Sequence, residues 1–197
     1  MGSGAAWRTA PLGHVDVLAR IHAQGDRINP LLQLPWIKAK CFRPDWLHVA
    51  DLGVAADFIG NAMQVLQQIC PGNSIANRVG YLSDWMQHWY ERHGTEDRLN
   101  VLLPQLFAQP RKGYKLRAQA AKVRALVPFV DHVCQLILSP MHPVQGAVRA
   151  AARCLAQVYS VLSEDAVDEV VAREASTRFA LLFLPLHDSQ HAADDRA

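Results

Sequence analysis

No two cysteines of this chain form a Cys-x-x-Cys pair. Cys41, Cys70, Cys134 and Cys154 are scattered, and the zinc-ribbon and zinc-finger spacings are absent. Their apolar neighbourhoods, such as Leu66–Cys70 and Val130–Leu138, read as sites for buried, reduced thiols. A charge excess is missing too: the formal net charge is +2 with a pI near 8.4, too mild to imply a nucleic-acid partner by itself. The Gly-x-Ser-x-Gly elbow, the P-loop and Gly-x-Gly-x-x-Gly do not occur. That leaves nucleophilic catalysis and nucleotide-phosphate binding without a local motif. No run alternates with period two, no hairpin turn separates two such runs and no repeat has a fixed period, which argues against a β fold or a solenoid. Met1–Ala10 holds no apolar core for a signal peptide. The myristoylation-like start has Ala6 where Ser or Thr is wanted. The apolar run Phe179–Leu186 is too short to span a bilayer. The expectation is a soluble intracellular protein with no membrane partner and no small-molecule cofactor.

Half of the 197 residues are apolar and 19% are charged, against the usual quarter charged. Such a chain fits one domain with a substantial core. Helical periodicity dominates it. His14–Gln24 carries Val15, Leu18, Ala19 and His22 on one face, and Gly25-Asp26 can stop it. Residues 28–44 hold Pro30, Pro35 and Pro44 and read as an extended connector. From Asp51 to Cys70, Leu52, Ala56, Ile59, Met63, Leu66 and Cys70 keep helical spacing up to Pro71-Gly72. Ser74 reads as the N-cap of a helix striped by Ile75, Val79, Leu82, Met86 and Trp89, with Gly94 as its stop. Leu99–Gln109 suggests a weaker helix broken by Pro104, followed by a basic amphipathic helix from Lys115 to about Val127. Pro128 then opens a further helix, Phe129–Leu138. His142–Leu162 and Glu164–Leu184 complete the set. The expected fold is all-α: a single domain over residues 14–186 with six or seven helices in an irregular antiparallel bundle. A flexible start (1–13) and a disordered polar tail (187–197) flank it.

The densest polar cluster is Asp45-Trp46-Leu47-His48-Val49-Ala50-Asp51, at the mouth of the long apolar helix. Asp45 and His48 stand three apart, so on a helical turn they share a face and can meet in a hydrogen bond or on a metal. A carboxylate beside an imidazole raises its basicity and fixes its tautomer. The structural alternative makes Asp45 a helix N-cap after Pro44 and His48 its half-buried neighbour.

The Asp-x-x-His element followed by Leu52-Gly53-Val54, with the apolar lead-in Leu31–Pro35, resembles a segment of CACTA-type (En/Spm-like) transposases. Asp51-Leu52-Gly53 and the basic Lys115–Pro128 stretch are similar to transposon-related open reading frames. The specific part of the resemblance covers Ile28–Asn61. It implies descent from a DDE-type transposase, in which three carboxylates on an RNase H-like core hold two Mg²⁺ or Mn²⁺ ions for strand cleavage. On matched positions only Asp45 and His48 receive a role, that of an accessory signature. The carboxylate-bearing strands of such an enzyme have no counterpart before Asp45, and no motif selects among Glu164, Glu169 and Glu174 as the third acid. The resemblance therefore implies a transposon-derived helical fragment, DNA-associated and nuclear, without catalytic activity of its own.

Arg111, Lys112, Lys115, Arg117, Lys122 and Arg124 form an acid-free basic stretch that could contact phosphates, with Tyr114 available to stack on a base. The same residues also fit a surface helix whose long side chains flank the apolar face Leu116, Ala120, Val123 and Val127. Trp85 and Trp89, four apart, read as helix–helix contacts. His88 and His93 do not share a face, and His187/His191 sit in the polar tail. Two further readings stand beside the transposase-like one. In the first, a cytoplasmic helical interaction module docks protein partners along the seams Asp51–Cys70 and His142–Leu162. In the second, a metal-dependent hydrolase is built on Asp45, His48 and Asp51.

Overall fold

A π-helical segment, Leu47–Ala55, runs without a break into α1, Ala56–Ile69. The computed structural model describes residues 47–109, 113–163 and 168–194, with two isolated helical positions, Ala19 and Ala23. The chain divides into two units, Met1–Asp45 and Trp46–Ala197, and apart from those two positions all described residues belong to the second. The expected connector 28–44, Asp45 and the flexible start lie outside the described residues, as does the helix expected over 14–24 except at Ala19 and Ala23.

α1 ends where Cys70 turns extended and Gly72 takes a φ of 142°, a conformation that favours glycine. α2, Ile75–His93, begins with Ser74 Oγ accepting the Asn77 N–H at 3.1 Å. It ends at Gly94 in the left-handed region, φ 62°, with Arg92 and His93 in the last turn complementing the helix dipole. The helix expected over Leu99–Gln109 is not formed. Its place is taken by an extended segment, a 3-10 turn (Pro104–Leu106) and a two-residue antiparallel ribbon, β1 (Ala108–Gln109) with β2 (Gly113–Tyr114), in which Ala108 faces Tyr114. Side chains of α2 satisfy this backbone instead. Gln87 Nε2 donates to the carbonyls of Leu99 and Asn100 at 2.9 and 2.8 Å, and Ser83 Oγ accepts the Leu102 N–H at 3.0 Å. Leu99, Leu102 and Phe107 are buried without forming a helix.

α3, Ala120–Ile137, joins what the sequence suggested as two helices, and Pro128 lies inside it. Proline removes one N–H donor, and the turns on either side carry the helix through. α4, Pro143–Leu162, has proline in its first turn, where no donor is lost. α5 spans Glu169–Asp194, continuing through Pro185 and beyond His187, where a disordered tail was expected. Asp168 Oδ1 caps its start, accepting the Val170 and Val171 N–H groups at 3.0 Å each. Among the described residues there are thus five α-helices rather than six or seven, and the helical class stands.

The core is assembled from Ile59, Met63 and Leu66 of α1, Leu82, Met86 and Tyr90 of α2, Val123, Leu126, Phe129 and Val133 of α3, and Ala151 and Leu155 of α4. From α5, Phe179 and Phe183 present their rings edge-on to Phe58 with centroids 5.4 and 5.8 Å away. The apolar end of that helix therefore packs on this chain. The stretch His48–Ile69 is long and apolar enough to cross a membrane by composition, and 56% of its 18-residue apolar window is buried within the fold.

Two close approaches fix the frame. The Leu116 N–H donates to the Ala56 carbonyl at 2.9 Å, and a Cβ on Gly60 would stand 2.6 Å from the Lys115 backbone, so only glycine lets the segment after the ribbon lie on α1. Along α3 and α4 the polar partners run in opposite directions: Gln135 meets Arg149, and Asp131 meets Arg153. The two helices are therefore antiparallel.

Candidate functional site

Asp51 lies on the π-helical segment, one turn before Ala55 and two before Ile59 on the face that enters the core. It is fully buried, 0% exposed. A carboxylate there is stable only with charged or hydroxyl partners, and the neighbouring helices supply them. Arg124 of α3 donates from Nη2 to Oδ2 at 2.5 Å, and Tyr159 of α4 donates its hydroxyl to Oδ1 at 2.5 Å. The hydrogen bond to Asp51 holds the Arg124 guanidinium in its charged form, raising its pKa. Burial, and then the bond to Asp51, raise the pKa of the Tyr159 phenol. One carboxylate thus ties three elements together, and both its oxygens are engaged.

This clamp is the first rung of a polar ladder along the α3–α4 seam. In the next, Arg153 Nε donates to Asp131 Oδ1 at 3.2 Å, and Gln135 Nε2 donates to the same oxygen at 2.9 Å. In the last, Arg149 Nε donates to Gln135 Oε1 at 2.8 Å and its Nη1 to the Leu138 carbonyl at 3.0 Å, while Gln135 Nε2 reaches the Arg149 carbonyl at 2.9 Å. The ladder is the wall of an open groove of about 620 Å³, lined among others by Trp89, Arg124, His132, Leu136, Arg153 and Tyr159. Trp89 forms the aromatic side, with its ring centroid 4.5 Å from His132 and 3.6 Å from the stacked His93. Leu136 stands 59% exposed at the rim. The volume lies within the range typical of ligand pockets.

The residues singled out in the sequence fall in several places. Asp45, Arg111 and Lys112 lie outside the described residues. His48 is exposed on the π-helical segment, and Asp51 is buried in the clamp. Asp51 would have to give up Arg124 or Tyr159 to take a metal. Among the described residues no three His, Cys, Asp or Glu side chains gather as a metal site. Of the basic stretch, Lys115 Nζ pairs with Asp57 at 3.1 Å and Arg124 with Asp51, whereas Arg117 is exposed and Lys122 half-buried. The apolar face Leu116, Ala120, Val123 and Val127 is buried as its spacing suggested, so these cations flank a core-facing stripe. Trp85 and Trp89 pack against the core. His88 Nδ1 and His93 Nδ1 lie 2.7 and 2.9 Å from the carbonyls four residues before them, Asp84 and Trp89. Sequence reasoning missed the partnership of Asp51 with Arg124 and Tyr159. The available signal was a carboxylate on the apolar face of a helix, which demands a partner from elsewhere. No family model, curated protein or solved structure matches the chain.

Proposed function

We propose that the chain is a helical docking module that receives a segment of a protein partner in the α3–α4 groove. The observation that carries this reading is the groove's lining. Trp89, Tyr159, Arg124 and Arg153 are the residue types that concentrate binding energy at protein interfaces. The ladder of hydrogen bonds holds three of these four side chains in place before any partner arrives, which lowers the ordering cost of association. Leu136 at the rim adds an apolar contact. The occupant is a partner segment with an apolar anchor for the Trp89–Leu136 side and hydrogen-bond acceptors for the arginines. The test is a photoreactive side chain placed at Leu136 and, as a control, at the exposed Val101, in the cell that makes the protein. The expected result is a discrete protein adduct from position 136 and none from 101. A nucleic-acid adduct from 136, or equal adducts from both positions, would sink the reading.

A second reading, a transposon-derived fragment that associates with DNA, is favoured by the exposed Arg117 in the segment before α3 and the half-buried Lys122 in its first turn. Phosphate contacts release counterions, so affinity for a labelled duplex should fall steeply between about 50 and about 200 mM salt. Affinity indifferent to salt, or unchanged in an Arg117→Gln/Lys122→Gln double variant, would remove it. If it holds, Mg²⁺ or Mn²⁺ would be the metals to examine, with Asp45 and His48 as the carried-over signature.

A further inference from the structure

Pro140, in the turn between α3 and α4, borders a second open pocket, of about 430 Å³, on α4 and α5. Arg149 and Arg153 of α4 and Arg178 of α5 line it, together with Gln157, Cys154 and Gly146, and among the described residues no carboxylate lines it. Three guanidinium groups lining one pocket give it a positive potential that an anion would answer. Among the described residues Asp131 forms its ion pair with Arg153. Arg149 is braced by Gln135 Oε1 and the Leu138 carbonyl through Nε and Nη1, which leaves its remaining donors for a ligand. The first turn of α4, with Pro143 and Gly146 in the wall, adds the positive end of its dipole. Glycine at 146 lets the turn stay close to α4, since a Cβ there would stand 2.7 Å from the Pro140 carbonyl oxygen.

We propose that this cavity is a binding site for the phosphate group of a small phosphate monoester. A dianionic tetrahedral oxyanion matches the forked donors of several arginines, and the volume suits a small organic ester. This proposal does not depend on what the neighbouring groove binds.

The experiment is calorimetric titration of the full chain with inorganic phosphate and with phenyl phosphate, ionic strength being held constant with chloride. Saturable binding of both is expected, tighter for the ester. Arg178→Gln should weaken it by about tenfold or more, the loss expected for a charged hydrogen-bonding partner, while Arg98→Gln, in the turn after α2, leaves it unchanged. Because Arg178 is exposed, its variant should melt like the parent, and a second readout needs no variant at all. Phenyl phosphate should slow phenylglyoxal modification of Arg149 and Arg178 but not of Arg98. Absence of saturable binding, equal affinity in Arg178→Gln, or equal modification rates with and without the ester would overturn the proposal. So would Arg178-dependent binding of a DNA duplex with no saturable binding of phenyl phosphate.

Discussion

Tyr159 donates its phenolic hydrogen to Asp51 Oδ1 at 2.5 Å across 108 positions of sequence. The bond spans the first described helical segment and α4, and Arg124 closes it from α3. Removing the hydroxyl leaves a buried carboxylate oxygen without a donor. Tyr159→Phe should therefore lower unfolding free energy by about 2 kcal/mol, read from urea denaturation. Asp51→Asn should cost about as much, and the double variant less than the sum of the two, because both changes break one network. Strict additivity would show that the two residues do not share it.

Gly60→Ala tests the close approach of α1 to the end of the ribbon and the segment after it. The added Cβ meets the Lys115 and Tyr114 backbone at 2.6 to 2.7 Å, and no side chain can swing aside to relieve it. A loss of about 1–3 kcal/mol is expected, although alanine is the better helix former at an exposed position. A half-buried reference is at hand in Gly80, where nothing lies within 4 Å of a new Cβ. Gly80→Ala should instead be neutral or stabilising by up to about 1 kcal/mol.

Alkaline pH should destabilise the fold, and the sign follows from the thiols and phenols. Burial raises Cys70 from 9.0 to about 11 and Cys134 from 9.0 to about 12, with Tyr90 raised from 10.0 to about 12. Each raised group holds its proton longer in the folded chain than in the unfolded one. Its contribution is whole below the unfolded value and is lost as pH rises through the folded one. Unfolding midpoints should hold level up to about pH 8.5 and fall above 9, where the unfolded thiols begin to ionise. Cys134→Ala should flatten the pH slope in that window, and a slope unchanged by it would contradict the assignment.

The same burial predicts slow thiol chemistry. Cys70, Cys134 and Cys154 are all buried, and burial raises the pKa of each. Since the thiolate is the reactive form, an aromatic disulfide reagent should label them in the native state only at the rate of local or global opening, and promptly in urea. Labelling at equal rates in the two states would contradict the packing. The site of labelling, read by mass spectrometry, separates these three from Cys41.

What the sequence disclosed was local. The stripe Ile59, Met63, Leu66 and the caps Ser74 and Gly94 announce α1 and α2, because periodicity and capping act within a few residues. Leu99–Gln109 misleads for the opposite reason. Its apolar spacing is helix-like, yet Ser83 and Gln87 satisfy its backbone from another element, and no local pattern reveals that. Pro128 likewise looks like a boundary until packing on both sides of it carries α3 through. The clamp lay furthest out of reach, since Arg124 and Tyr159 stand 73 and 108 positions from the carboxylate they hold. Arg124 itself stood in the basic stretch, where its charge pointed to phosphates rather than to Asp51.

The π-helical turn ahead of α1 makes the clamp sensitive to chain length as well as to residue type. A Cβ on Gly53 would stand 3.1 Å from the His48 carbonyl five residues back, the spacing of a widened turn carrying an extra residue. Deleting one residue between Asp51 and Ala56 would let the widened turn relax to an ordinary one and leave Asp51 on nearly the same face, because the residue lost is the extra one the turn carries. Inserting one residue there would instead turn everything before it by about 100° and carry Asp51 off the face that Arg124 and Tyr159 reach. A one-codon insertion here, altering no side chain of the clamp, should undo it as thoroughly as replacing the carboxylate, whereas a one-codon deletion should spare it. A conservative substitution at the exposed Val54 should pass unnoticed.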